Sequence, residues 1–542
     1  MSSNFFESLR NLICVALLTI FLKSPFIFAV QTIVNPFEFE LNAYRLQQYD
    51  IGNIAIGSKS WKFQLNVASQ LNDLLQKCGI VLWKDLLNSD IKNIFLQDNG
   101  ALLIIIPRNL DRLSTSDKKL MQKFENFFKT LTTNLAVYFV EDSKQIRNFL
   151  NLINEQTLPD NLYITHTLKY IFNDVYQLAT SNSLPCNLLK GKKMKNIIGQ
   201  LSSGDELNPI IVFVAHYDSH SIIPGLSVSA NSNGSGVASL LEILAVFSKF
   251  YRHDKTRPQY NMIFALTAGG KYNYQGTRQF LDDLHEKRNE DNIELVICLD
   301  SLAKKRAINI HLSKNPSEKS ATRRFINNLK LFSNITLIDI VSKKINLNSP
   351  KLAWEHERYN MRKIPAITLS HIKSYDSPER DTIFDTPQSL STNILSNNIK
   401  LITEAMMSYV FNIPYDTCQQ VKNDCSILDN VLISNERIST FLNIVNSQTR
   451  AAALSQNKLI SELHSIVEKY TRHNVDIIEF EPVDVNLYSV LDDKITIYRT
   501  KTTTFDIVLG LVISLYLMIL KYISKNLQKY LLYIFSLFSE HR

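Results

Sequence analysis

Between Val214 and Gly236 the chain reads VAHYDSHSIIPGLSVSANSNGSG, and the side chains near its start are those of a metal site. His216 and Asp218 close an apolar run, and an imidazole and a carboxylate are ordinary donors to zinc. A further acid, Asp300, ends the run IELVICLD; Asp381 lies in RDTIFDT, and Asp376 stands shortly before it in YDSP. His216 and His220 are four apart, yet they fall at a strand end and not on a helix, so they do not make the one-faced zinc pair of an HExxH site. His356, in Trp354-Glu355-His356-Glu357-Arg358, reads either as another ligand or as part of a surface helix, and the paired charges around it favour the helix. Tyr217, Tyr272 and Tyr274 could line a groove, though packing around a closed cleft explains them more simply.

Such donors need a scaffold, and the pattern around them supplies one. Strand-like runs (209–216, 261–266, 293–300, 307–312, 335–341, 365–371) alternate with helical ones (236–251, 275–286, 320–332, 392–411). Continuous apolar strands alternating with helices predict an α/β fold over 195–412, a mostly parallel sheet covered by helices on both faces. Ligands of such sheets bind at the carboxyl ends of strands, where His216, Asp218 and Asp300 fall. Residues 31–194 read as an N-terminal α/β lobe, with helices over 63–77 and 118–133 and strands in ALLIIIP and LAVYFV. Residues 413–504 read as a helical C-terminal extension that ends in the strand-like ITIYR.

The two ends point to a membrane. Residues 1–30 carry an apolar run, Leu12 to Val30, interrupted by Lys23, Ser24 and Pro25, which reads as a signal peptide cleaved near Ala29, with a retained anchor as the alternative. Residues 505–525 contain IVLGLVISLYLMILKYI and are expected to cross the bilayer; the basic tail, 526–542, then stays in the cytosol, with Leu527 to Phe538 in the interface. The net charge of +8 is spread without a dense basic block, which argues against nucleic-acid binding. With 6 cysteines in 542 residues this is no disulfide-built fold, and Cys418 and Cys425 are the pair close enough to suggest a local bridge. Asn233-Gly-Ser and Asn334-Ile-Thr are sequons on the expected lumenal side.

The order of these motifs resembles the zinc-dependent aminopeptidase superfamily. Its members carry His-x-Asp, a metal-bridging Asp in a loop like N-D-N-G-S-G, a Glu-Glu pair before G-L-x-G-S, a Leu-Asp, and a late His before T-P-x-D-T. Two zinc ions activate a water there, and the first Glu of the pair is the base. By this resemblance His216, Asp218 and Asp300 are retained, whereas Ser232 stands at the bridging Asp, Gly270 at the base, Lys271 at the ligating Glu, and Asp381 (or Asp376) at the last His. The implied chain has no catalytic residues, no bound metal and no cofactor. Its leftover carboxylates then need a counter-charge, which Lys271 either supplies or, pointing to solvent, does not.

YRLQQYD (44–50), SNGSGV, GGKYNYQGT (269–277), LAWEHERY (352–359) and the terminal apolar helix narrow the resemblance to the nicalin family, the nicastrin-like branch of the endoplasmic reticulum membrane, over almost the whole chain. That resemblance implies a non-catalytic, single-pass subunit with a lumenal bulk. Its partners would be the Nodal modulator protein and a small multi-spanning membrane protein, in an assembly that joins the translocon and ribosome, assists multi-pass membrane protein biogenesis and is linked to Nodal signalling. The alternatives are a metallopeptidase with unusual ligands (His216, Asp300, His356) and a substrate receptor for an intramembrane protease.

Overall fold

The computed structural model describes residues 37–68, 70–156, 174–181, 186–287, 290–333, 336–349, 351–413, 427–428, 432–454, 456–501 and 503–539. The expected signal segment, Asn334 and the Cys418/Cys425 pair lie outside these residues.

The N-terminal part is a closed barrel. Its strands run in the order Phe37–Arg45, Asp492–Lys501, Asp174–Thr180, Gln64–Val67, Lys77–Leu82, Ala101–Ile106 and Ala136–Glu141. Ala101–Ile106 is buried at every position because both of its faces are covered. Leu103 and Ile105 pack into one core with Ile495 and Ile497, while Leu102 and Ile104 pack outward against Phe124 and Phe128 of helix Thr115–Phe128. The helix expected over 63–77 is absent: Gln64–Val67 is a strand paired to Asp174–Thr180, and sheet pairing overrides its helical pattern.

The second unit is an eight-stranded sheet in the order Leu337–Ser342, Ala307–Leu312, Ala366–Ser370, Ile293–Leu299, Ile210–His216, Asn261–Thr267, Met194–Leu201, Val475–Phe480. Its four central strands, from Ala366–Ser370 to Asn261–Thr267, are mutually parallel, as the alternation predicts; antiparallel pairs join the flanks. Helix Gly234–Phe250 is buried from Gly234 to Ser248, so it is a core helix with no solvent face to keep polar.

The C-terminal extension is not a separate helical unit. Beyond helices Asn435–Val445 and Asn457–Thr471, Val475–Phe480 completes the large sheet, Val485–Leu487 pairs with Tyr49–Ile51, and Asp492–Lys501 closes the barrel. Strand pairing claims this stretch because its apolar residues alternate, as in Ile495 and Ile497, both buried.

Helix Thr503–Ser539 begins two residues after Lys501. Its apolar window Thr504–Ile523 has no buried residue and is long enough to cross a bilayer. The helix continues through Lys525 and Lys529, and its 37 residues extend about 55 Å, well beyond a hydrocarbon core of about 30 Å.

Candidate functional site

His216 ends a strand buried along its whole length, and Asp218 follows in the loop above the sheet. Asp218 accepts the backbone N–H groups of Gly270 (2.9 Å) and Lys271 (3.2 Å), tying the first motif to the third. The loop before helix Gly234–Phe250 is equally fixed. Asp385 Oδ2 accepts the N–H groups of Asn231 (3.0 Å) and Ser232 (2.6 Å), and its other oxygen pairs with Lys304 at 2.8 Å. At Gly236 an added Cβ would lie 2.4 Å from the Leu299 carbonyl oxygen, so the helix can approach the neighbouring strand end only through glycine.

Lys271 lies at the centre. Its side chain is only 4% exposed; Nζ donates to Ser232 Oγ at 2.8 Å and pairs with Asp381 Oδ1 at 2.9 Å. Burial would raise the Asp381 carboxyl, but Lys271 above all, with His220 and Arg380, holds it far below the usual carboxylate range. Asp300 is held low in the same way: burial opposes its charge, and Arg380 and then Lys271 outweigh it. Ser370 Oγ donates to Asp300 at 2.8 Å, and the Arg380 guanidinium stands 4.0 Å away, over the Trp354 ring. Asp381 has φ +55°. Asp376, its rival for the last motif position, has no bond to this network and accepts from nearby Ser374.

The His216 ring lies against Gly270. A Cβ built on Gly270 would fall 2.1 Å from His216 Cγ and 2.3 Å from Cδ2, so no side chain fits there unless the imidazole moves. His216 Nδ1 is 3.5 Å from Glu355 Oε2, whose partner oxygen accepts from Thr267 (3.1 Å) and Thr277 (2.6 Å).

Two expectations fail here. The sequon at Asn233 is not a glycan site in this fold: Asn233 is fully buried, adopts φ +69°, and donates from Nδ2 to the His216 carbonyl at 2.9 Å. An N-linked sugar needs that nitrogen and free space beside it. The Trp354 to Arg358 stretch is not a surface helix either, since Trp354, Glu355, His356 and Glu357 are all buried. His356 Nδ1 is 2.9 Å from Thr368 Oγ1, and burial, with His311 a smaller cause, pushes its pKa down to about 3. Among the described residues no group of three or more His, Cys, Asp or Glu side chains gathers closely enough to hold a metal ion, so His216, Asp300 and His356 do not form the alternative ligand set. Tyr217, Tyr272 and Tyr274 are buried.

Residues far away in sequence complete the site. Arg450, fully buried, donates to the carbonyls of Tyr217 (2.7 Å), Val228 (2.8 Å) and Ser229 (2.8 Å). Glu125, from the barrel helix, accepts from Thr382 Oγ1 (2.6 Å) and the Ile383 N–H (2.8 Å), and burial raises its pKa to about 7. Lys129 donates to the Arg380 carbonyl at 3.1 Å. The only sequence signal for these residues is weak: a charged residue set among apolar or small ones, as Arg450 is before Ala451-Ala452-Ala453.

The profile of peptidase family M28 matches residues 196–410, the sheet unit that carries this site. Nicalin of Caenorhabditis elegans is 33% identical over 515 residues, 91% of this chain and 91% of that protein. The chain belongs to the nicalin family. Other members match nearly as widely: the BOS complex subunit ncln of Danio rerio is 30% identical over 89% of each chain, and the Homo sapiens BOS complex subunit NCLN is 28% identical over 88% of this chain and 87% of its own. Among solved structures, the gamma-secretase component nicastrin superposes with a TM-score of 0.54 over 85% of this chain and 99% of its own, at 11% identity, which marks a shared fold. In this nicalin-family chain the barrel and the peptidase-like sheet are therefore both part of a nicastrin-type fold, with the site at their junction.

Proposed function

We propose that this chain is a non-catalytic, membrane-anchored subunit of a BOS-type complex, and that its peptidase-like site is a structural joint. The observation that carries the reading is the Lys271 ammonium, buried between Ser232 and Asp381. The zinc pair of the aminopeptidase superfamily does not fit these residues. A cation already neutralises the carboxylates, Ser232 offers a neutral hydroxyl where two dications would need a bridging carboxylate, and Gly270 has no side chain to serve as base. Asp218 is engaged by backbone amides, and Asp300 by Ser370 and Arg380, so each retained acid has a structural partner.

The subunit role is supported by near full-length similarity to proteins named as BOS complex subunits. The apolar helix Thr504–Ile523 supplies one span and anchors the folded bulk on one side of the membrane, which we place in the endoplasmic reticulum lumen. On this reading its partners are the Nodal modulator protein and a small multi-spanning membrane protein, and the assembly serves multi-pass membrane proteins at the translocon.

Affinity purification of the full chain from detergent-solubilised membranes tests the proposal. Recovery of those two partners with translocon and ribosome components is expected. Stoichiometric recovery of an intramembrane protease would favour the receptor alternative instead. Chelator-sensitive cleavage of aminoacyl reporters, with zinc at a molar ratio near one or two, would overturn the non-catalytic reading.

A further inference from the structure

The barrel strands have two ends, and the chain path assigns them. Asp492–Lys501 leads into helix Thr503–Ser539 with one residue between them, and Lys501 Nζ lies 5.8 Å from the Phe505 ring across that junction. The first described residue, Phe37, pairs with Tyr498 at the same end. The parallel strands Ala101–Ile106 and Ala136–Glu141 also finish there, because Ala136–Glu141 runs antiparallel to Phe37–Arg45.

Helix Lys144–Gln156 follows Glu141 at this end and closes the mouth. Ile146 and Phe149 enter the barrel core, where Phe149 meets Phe39 at 5.7 Å and Tyr176 at 4.9 Å between ring centroids. The helix turns Lys144, Arg147, Asn148 and Leu152 outward, and of its two cations Arg147 is paired with Asp142. Arg112, in the turn after Ala101–Ile106, is exposed as well, and neither it nor Lys144 has an acidic partner among the described residues. The opposite end meets the peptidase-like site, where Gln47 donates to Tyr272 and Glu125 reaches Thr382.

We infer that the plugged mouth of the barrel, through the outer face of helix Lys144–Gln156 and the Arg112 turn, rests on the phospholipid headgroups of the membrane that the C-terminal helix crosses. The inference rests on the reading of Thr504–Ile523 as a span. A one-residue connection leaves the barrel little freedom to lift away, and the long side chains of Arg112 and Lys144, without acidic partners, suit headgroup phosphates. The barrel is then a pedestal. Helix Thr115–Phe128, whose 14 residues extend about 21 Å, starts near the mouth and ends at the site loop, so the site is held about 20 Å above the headgroups.

Photocrosslinking the full chain in phosphatidylcholine nanodiscs tests this. A photoreactive phenylalanine analogue is placed at Asn148, on the outer face of the plug, or at Leu96, which is 76% exposed just before the opposite end of Ala101–Ile106. Lipid adducts are expected from position 148, with at least a tenfold loss at position 96. Adducts of equal yield at both positions, or none at 148 while the chain resists carbonate extraction from membranes, would overturn the headgroup contact alone. Release of the chain by carbonate would overturn the spanning reading, and the contact with it.

Discussion

Replacing Lys271 with methionine isolates the charge at the centre of the site, since the apolar stem is kept and only the ammonium is lost. In the native chain that ammonium donates to Ser232 at 2.8 Å and pairs with Asp381 at 2.9 Å. Removing one member of a buried pair costs about 3–5 kcal/mol because the other charge is left uncompensated. The Asp381 side chain is 30% exposed, so water recovers part of this, and a loss of about 2–4 kcal/mol at pH 7 is expected. The pH dependence follows from the sign of the shifts. Asp381 and Asp300 are held below their unfolded values, so their contribution is present above the ordinary carboxylate range and disappears as pH falls through their folded values. K271M relaxes both shifts, so its deficit is largest near neutrality and narrows toward pH 4. The double variant K271M/D381N removes the orphaned charge and should recover most of the loss. Urea unfolding of the detergent-solubilised chain, followed by tryptophan emission, to which buried Trp83 and Trp354 both contribute, measures all three species. A K271M chain within about 0.5 kcal/mol of the native one at pH 7, or D381N adding to its deficit, would refute the role assigned to Lys271.

Other substitutions probe the surrounding frame. G270A should destabilise the chain by about 1–3 kcal/mol, since its Cβ meets the His216 ring at 2.1 Å; most of that loss should vanish in G270A/H216A unfolding curves. N233Q should cost about 1–3 kcal/mol by removing the buried donor to His216, and intact-mass analysis of the native chain should find no glycan at Asn233. Glu125 titrates near 7 when folded against about 4.5 when unfolded, so its contribution is present at acid pH and lost as pH rises through 7, about 3 kcal/mol in all. E125Q should flatten that segment of the stability profile between pH 5 and pH 7.5.

What could be read in the sequence follows from where the information sits. The central strands announce themselves because they are covered on both faces and must be apolar throughout, and His216, Asp218 and Asp300 are placed by the ends of those runs. The N-terminal barrel was harder. Its closing strand, Asp492–Lys501, comes from the far end of the chain, so no local pattern near Phe37–Arg45 names its partner. Asn233 and the Trp354–Arg358 stretch misled for one shared reason: polar residues suggest solvent, yet here they are buried on specific partners, the His216 carbonyl for Asn233 Nδ2 and two threonine hydroxyls for Glu355.

The residues that sequence missed also show how so polar a centre is tied into the fold. Glu125 and Lys129 bring the barrel helix to residues 380–383, Lys271 ties the same loop to the sheet, and Arg450 fixes the His216 loop from the C-terminal extension. Barrel, sheet and extension therefore meet around one set of polar and charged groups, in which Lys271 pairs with Asp381 and Arg380 faces Asp300. Removing Lys271 or Arg380 strands a carboxylate contributed by another segment, and removing Arg450 leaves three carbonyls without their donor. At the position where the aminopeptidase superfamily carries its base, the His216 ring fills the space that a side chain on Gly270 would need.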